Sequence, residues 1–251
     1  MLTFLRKIRK SLIESSSTRK YLLYAVGEVL LVMVGILLAL QVNNWNEERK
    51  IRTLETEILE DLLINLKRDL TDITSNIRLT RNTSRSTEIL LDQIKADNPY
   101  HDSLAIHLGQ SFWWTDFLPT TSAYEVLKSK GLDIIQNKLL RKNLQELYQF
   151  SYQRTSNLVA WEMEKNDQYT AEAKRYFRFY TAIDLGSQSG RNSGLPDKMI
   201  PINFQVLKGS SEFTYYLSLI DQVQRFINED YKTLKTKISK LIGEVENELK
   251  Q

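Results

Sequence analysis

An uninterrupted apolar run near the start of this 251-residue chain constrains its fold more than any other feature. From Tyr21 to Val42 the run contains no Lys, Arg, Asp, Asn or Pro, and Glu28 is its one acidic residue. These 22 residues form a helix of about 33 Å, enough to cross a hydrocarbon core of about 30 Å. The polar stretch that follows, Asn-Asn-Trp at 43–45, does not have the form of a signal-peptide cleavage site. The sequence therefore predicts a retained transmembrane helix over 21–42.

The charges on the two sides of this run predict its orientation. The first twenty residues contain one acidic residue and six basic ones, which are Arg6, Lys7, Arg9, Lys10, Arg19 and Lys20. Beyond the run basic and acidic residues nearly balance, so the overall formal charge of +3 comes from the tail. The positive-inside rule therefore predicts a cytoplasmic N-terminus. Because the basic balance reflects topology, we expect no nucleic acid as a partner.

The basic tail, residues 1–20, allows two interpretations. Leu2, Leu5, Ile8 and Leu12 recur at helical spacing among the basic residues. Such a pattern predicts an interfacial helix that binds the anionic lipids of the cytoplasmic leaflet. The alternative is a topology signal without a defined conformation. In both cases the cytoplasmic part is too short for a kinase, a cyclase or a DNA-binding module.

Helical periodicity dominates the rest of the chain, where two seams of apolar residues alternate four and three positions apart. The first seam consists of Leu59, Leu63, Leu66, Leu70, Ile73 and Ile77, and it continues through Thr80, Ser84 and Thr87. The second consists of Phe213, Leu217, Ile220, Gln224, Ile227, Tyr231, Leu234, Ile238, Leu241 and Val245. Nothing breaks the first pattern before Asn98-Pro99, so the membrane helix is predicted to continue as a stalk of about 80 Å. We expect the helix around 51–95 to pair antiparallel with the helix around 210–250.

Two further helices are predicted between these seams. Thr120-Thr121-Ser122 has the composition of an N-cap for a short helix that Gly131 closes. Asn137 is expected to cap a long helix that runs to about Tyr180. Glycine and proline concentrate in the segment that follows, 186–201, which predicts a mobile loop.

The predicted fold class is all-α, with a single N-terminal transmembrane helix that continues into a stalk and an antiparallel helical bundle. The predicted segments are a tail over 1–20, a membrane helix over 21–42, a stalk over 43–97 and the bundle over 98–251. The chain contains no cysteine, so neither disulfides nor thiolate chemistry is expected.

Two stretches of the sequence resemble a family of bacterial single-pass membrane proteins of unknown function. They are KYLLYAVGEVLLVMVGILLALQVNNWNEERK at 20–50 and TTSAYEVLKSKGLDIIQNKLLRKNLQELY at 120–148. The resemblance implies a bacterial inner-membrane protein with a periplasmic helical domain. It implies no activity, and it offers no catalytic residues to assign to this chain.

No motif in the sequence predicts an enzyme. The only histidines, His101 and His107, are six positions apart and do not share a helical face as an i, i+4 ligand pair does. Asp97 and Asp102 could complete a metal site, but a loop carboxylate and a helix cap are the simpler interpretation. We therefore predict no catalytic residue, no metal site and no bound cofactor.

Four large aromatic rings, Phe112, Trp113, Trp114 and Phe117, lie within six residues of one another. They predict one of two arrangements. The first is a pocket for an apolar or sugar-like ligand, or for a partner. The second, which aromatic residues in helical folds more often adopt, is a hydrophobic plug at the end of the bundle.

The carboxylate inside the apolar run suggests a packing face in the membrane. On a helix, Gly35 and Ala39 lie within about 20° of Glu28, and Tyr24 lies about 40° away. Small residues allow close approach of helix backbones, and a polar group inside a bilayer favours a side that faces protein. We interpret the four residues as an assembly surface. The alternative is a protonated or hydrated Glu28 near the headgroups.

Three functions agree with these features. The first, which we favour, is a membrane-anchored, non-enzymatic interaction or scaffold protein. It would form a homo-oligomer or join a membrane complex, and it would position a periplasmic or membrane partner. The second is a periplasmic ligand-sensing subunit that relays to a separate protein. The third is a subunit of an ion- or proton-conducting assembly in which Glu28 titrates.

Overall fold

The computed structural model describes residues 18–177 and 198–250, without the side chains of Thr18, Lys20, Tyr21 and Tyr24. Over these residues the chain is helical and forms no strand, which confirms the all-α prediction. One isolated antiparallel bridge joins Phe177 to Pro201.

Seven α-helices are named here in chain order among the described residues. They are α1 (Thr18–Lys95), α2 (Leu104–Gln110), α3 (Ser122–Lys130), α4 (Lys138–Gln145), α5 (Tyr152–Ala173), α6 (Phe204–Lys208) and α7 (Ser211–Glu248). A 3₁₀ turn, Leu132–Ile134, precedes α4, and a π-helical turn, Glu146–Ser151, joins α4 to α5.

The chain divides into two compact units within α1, between Glu55 and Thr56. The unit before this boundary holds the apolar part of α1. Its most apolar window has a mean hydropathy of 2.3, and none of the window is buried. By length and composition, α1 is the one described helix that could cross a membrane.

In the second unit, which starts at Thr56, α1 and α7 lie antiparallel to each other. Lys67 Nζ is 2.7 Å from Glu246 Oε1, near the end of α7. Ser84 Oγ donates to Asp221 Oδ1 at 2.9 Å, near the start of α7. The predicted antiparallel pairing of these helices is therefore confirmed.

The two predicted seams form much of the core of this unit. All ten seam positions of α7 are buried, and those of α1 are buried or half-buried. One cluster brings Leu90 of α1 together with Phe112, Tyr169 of α5, and Phe213 and Ile220 of α7. Removal of this apolar surface from water is the main stabilising term for a chain without disulfides.

The helix ends agree with the sequence at two positions. The Asn137 side chain accepts from the backbone N–H groups of Leu139 and Leu140, so Asn137 caps α4 as predicted. Gly131 ends α3 with a φ of 111°, a left-handed conformation that glycine adopts without steric cost.

The predicted cap at 120–122 is wrong in its chemistry, although α3 does begin there. The N-cap residue, Thr121, has φ −102° and ψ −3° and makes no side-chain cap hydrogen bond. An N-cap residue usually has an extended backbone, from which its side chain can accept a hydrogen bond from the first turn of the helix. Thr121 has a helical backbone instead. The neighbouring Ser122 hydroxyl instead accepts from Asn65 Nδ2 at 3.1 Å.

The predicted helix that starts after Asn137 is continuous from Lys138 to Ala173, but its predicted end near Tyr180 is wrong. It contains the π-helical turn, and α5 ends at Ala173. A turn follows at 174–176, and the backbone N–H of Ile202 donates to the carbonyl of Tyr176 at 2.8 Å. Residue 180 lies outside the described residues. The same holds for positions 186 to 197, which are most of the predicted loop 186–201.

Candidate functional site

The predicted aromatic cluster does not stay together in the fold. Phe112 is buried and stacks on Tyr169, with ring centroids 4.6 Å apart. Phe117 is also buried, but its ring meets the edge of Tyr152 at 5.4 Å. The two phenylalanines thus belong to different aromatic groups of the core.

The two tryptophans of the cluster, Trp113 and Trp114, are half-buried. They belong to an irregular segment, residues 113–121, that links α2 to α3 and has no regular secondary structure. Most backbone N–H and C=O groups of an irregular segment have no partners within a helix, so other groups must satisfy them where they are buried.

Polar side chains from three helices supply these partners. Asn76 of α1 donates to the carbonyl oxygen of Asp116 at 2.8 Å, and Asn166 of α5 donates to that of Phe112 at 3.1 Å. Gln224 of α7 donates to the carbonyl oxygen of Trp113 at 3.3 Å. Asp69 of α1 accepts from the backbone N–H of Thr120 at 2.9 Å. These contacts explain why a glutamine occupies the otherwise apolar seam of α7. They fix the irregular segment between the helices.

A buried carboxyl group, that of Glu162 on α5, lies at the centre of this arrangement with no exposed surface. Its Oε1 accepts from Gln224 Nε2 at 2.5 Å, and its Oε2 accepts from Thr115 Oγ1 at 3.1 Å. The Thr115 hydroxyl is also 2.9 Å from Tyr231 Oη on α7. Three elements of the chain, α5, α7 and the segment that contains Thr115, therefore meet in one hydrogen-bonded network.

Burial raises the pKa of Glu162 from its usual 4.5 to about 7, against the hydrogen bonds of Thr115 and Gln224, which lower it. The nearby Asp116 carboxylate adds to the rise in pKa. Among the described residues Glu162 has no cationic partner. The network thus holds a carboxyl group that can bind or release a proton near neutral pH.

A second buried carboxyl group, that of Asp69, lies on α1. Tyr152 Oη donates to its Oδ2 at 2.6 Å, and the backbone N–H of Thr120 donates to its Oδ1. Burial raises the pKa of Asp69, while these hydrogen bonds oppose the rise. The same burial, together with the Asp69 charge, raises the pKa of the Tyr152 hydroxyl.

Neither carboxyl group is among the site residues predicted from the sequence, although helical spacing gives a signal for each. Glu162 lies three positions after Val159 and four before Asn166, all three of which are buried on one side of α5. Asp69 lies three positions after Leu66 and four before Ile73, both of which are buried. An acidic residue at seam spacing is a candidate for a buried network.

The predicted membrane face lies in the first unit. Glu28 is half-buried, whereas Gly35 and Ala39 are exposed. A Cβ placed on Gly35 would meet no atom within 4 Å, so the surface above it is open. Arg19 is exposed, and the other side chains predicted for this region lie outside the described residues, namely Arg6, Lys7, Arg9, Lys10, Lys20 and Tyr24.

The two histidines lie in separate hydrogen bonds. His107 Nδ1 is 3.1 Å from Ser86 Oγ, and His101 Nδ1 is 2.8 Å from Ser103 Oγ. Burial lowers the pKa of His107, and the charge of Arg85 lowers it further. Within residues 18–177 and 198–250, no group of three or more His, Asp or Glu side chains is placed to hold a metal ion.

Comparison with known proteins gives one match. The model of a family of unknown function, DUF6090, matches residues 28–189, which is more than half of the chain. No curated protein and no solved structure matches the chain.

Proposed function

The chain belongs to the DUF6090 family, and we propose that it is a membrane-anchored, non-enzymatic interaction protein that assembles through its membrane helix. Its helical part, an antiparallel bundle in this proposal, positions a partner on the periplasmic side of a bacterial inner membrane. The observation that carries the proposal is the apolar window of α1, whose residues are all unburied in the folded chain. Such a surface is stable in lipid and not in water.

The orientation in this proposal rests on charge. Six basic residues precede the apolar run and only one acidic residue accompanies them. The positive-inside rule then keeps the N-terminus in the cytoplasm and exports the second unit. The lack of cysteine agrees with a domain that is stabilised by packing alone.

Assembly in this proposal uses the face of α1 that carries Glu28, Gly35 and Ala39. Gly35 is open to approach, so a second helix can come close to its backbone. A carboxyl group within the apolar run gains most when it faces protein, because lipid offers it no hydrogen bond. The partner helix is that of a second copy or of another membrane subunit.

The test is the size of the full-length protein in lipid nanodiscs, measured by native mass spectrometry or single-molecule photobleaching. Gly35→Leu should disrupt the assembly, because a large side chain on the packing face separates the helix backbones. Leu37→Ala is the matched control. Leu37 is 57% exposed and lies off this face, so its truncation should leave the assembly intact.

Glu28 gives a second arm of the same test. Glu28→Gln should retain most of the association, because an amide still donates and accepts hydrogen bonds between helices. Glu28→Leu should weaken it. A monomer without bound protein, in the wild type and in Gly35→Leu alike, would overturn the proposed assembly and leave α1 as a simple anchor.

A further inference from the structure

A polar groove with a volume of about 630 Å³ lies on the surface of the second unit, between the antiparallel helices α1 and α7. Basic side chains line both walls. The lining residues are Arg81, Asn82, Ser84, Arg85 and Glu88 of α1, and Arg225, Asn228, Glu229 and Lys232 of α7. Four of these nine carry a positive charge and two carry a negative charge, so the groove is cationic.

The cations of the two walls differ in their partners. On α7, Arg225 pairs with Asp221 at 2.9 Å and with Glu88 at 3.6 Å, and Lys232 has a carboxylate partner one turn away. On α1, Arg81 and Arg85 make no ion pair with any residue of the described chain. They are four positions apart and therefore project from the same side of the helix.

The uncharged groups at the floor of the groove are already engaged. Ser84 Oγ donates to Asp221 Oδ1 at 2.9 Å. Asn228 Nδ2 donates to Thr80 Oγ1 at 2.6 Å and to Ile77 O at 2.9 Å. The donors left for a ligand are therefore the exposed Asn82 amide and the basic side chains, and the basic side chains cannot accept a hydrogen bond. A matching ligand must be an acceptor with negative charge.

We propose that this groove binds a phosphate group, either as a free phosphate or as the headgroup of an anionic phospholipid. Two guanidinium forks one helical turn apart match the several oxygens of a phosphate, which accept paired hydrogen bonds. Arg225 reaches the same ligand from the opposite wall when it exchanges its exposed contact with Glu88 for a phosphate oxygen. This site is independent of the proposed assembly through the membrane helix.

Isothermal titration calorimetry on the full-length protein in a neutral, non-ionic detergent tests the site. The probes are inorganic phosphate, pyrophosphate and glycerophosphoglycerol, the deacylated headgroup of phosphatidylglycerol, at constant ionic strength. The Arg81→Gln/Arg85→Gln variant should bind roughly tenfold more weakly, because each lost guanidinium removes a charge-assisted pair. Arg68→Gln/Arg141→Gln, which loses the same charge outside the groove, should bind within about twofold of the wild type.

Each outcome bears on the proposal. Binding of phosphate or pyrophosphate alone supports a free phosphate ligand, and binding of glycerophosphoglycerol supports a lipid headgroup. Absence of binding for all three probes overturns the site. An equal loss of affinity in the two double variants also overturns it, because the effect then reflects net charge. Arg81 and Arg85 are exposed, so their replacement should leave the circular dichroism spectrum unchanged.

Discussion

The two parts of α1 use their side chains in opposite ways. Before Glu55 large apolar side chains are open, with Leu31 75% exposed and Leu38 63% exposed. After Thr56 polar side chains are inside, with Asn76 3% exposed and Thr80 fully buried. One continuous helix thus exposes leucine in its first part and buries threonine in its second.

The difference shows that the surroundings of a side chain, and not its hydropathy alone, decide whether it is buried. An exposed leucine is stable where the medium is as apolar as itself. A buried threonine is stable where its hydroxyl has partners. Thr80 Oγ1 donates to Asn76 O at 3.0 Å and accepts from Asn228 Nδ2 at 2.6 Å. The two parts of α1 are therefore suited to different environments.

Truncation of one large side chain in each unit gives the largest expected contrast. Phe112→Ala should lower the unfolding free energy of the second unit by about 3–5 kcal/mol, since it leaves a cavity beside Tyr169. Leu31→Ala should leave that free energy unchanged, because Leu31 lies in the other unit. Urea unfolding of the full chain in detergent, followed by tryptophan fluorescence, measures both. Equal losses in the two variants would contradict the separation of the two environments.

The buried Glu162 predicts that the second unit loses stability as pH rises. Its carboxyl group ionises near 4.5 when unfolded and near 7 when folded, so between these values the unfolded state binds fewer protons. The loss should be complete above pH 7 and should amount to about 3 kcal/mol. Asp69, whose pKa is also raised, contributes with the same sign.

Glu162→Gln is the matched variant for this pH effect. It keeps the side-chain shape and removes the ionisation, so the unfolding free energy should fall less between pH 5 and pH 8 than in the wild type. The part of the slope that Asp69 contributes should remain. Chemical unfolding at these two pH values measures the difference. The same slope in wild type and variant would show that Glu162 does not titrate in the folded chain.

A smaller effect should come from the side chains that hold the irregular segment, residues 113–121. Asn76→Ala removes the donor to Asp116 O and should cost about 1–3 kcal/mol, because a partly buried carbonyl loses its partner. Asn82→Ala is the control on the same helix, where Asn82 is exposed, and it should change stability by less than about 0.5 kcal/mol. Urea midpoints compare the two. Equal losses would mean that the irregular segment is held by packing alone.

The features that the sequence predicts correctly are those that depend on local periodicity. The α7 seam from Phe213 to Val245 is buried at every predicted position, since a helix turns by the same angle at each residue. The caps at Gly131 and Asn137 also depend only on nearby residues. The long apolar helix follows from length and composition in the same way.

Contacts between distant residues were not predictable in this way. Phe112 and Phe117 are close in sequence, and this proximity predicts a single aromatic cluster. An extended chain carries two such residues up to about 17 Å apart, and they pack against different tyrosines. Gln224 and Glu162 are 62 positions apart, so nothing local marks them as partners.

The smallest expected effect concerns an ion pair between α1 and α7. Lys67 Nζ lies 2.7 Å from Glu246 Oε1, but both side chains are largely exposed, at 55% and 40%. Water and salt screen such a pair, and the two long side chains lose rotamer freedom when they form it. Lys67→Gln should therefore leave the urea midpoint of the second unit unchanged at physiological ionic strength. A clear loss that disappears at high salt would contradict this expectation. It would show that surface charge, in addition to the buried polar side chains of α1, holds the two helices together.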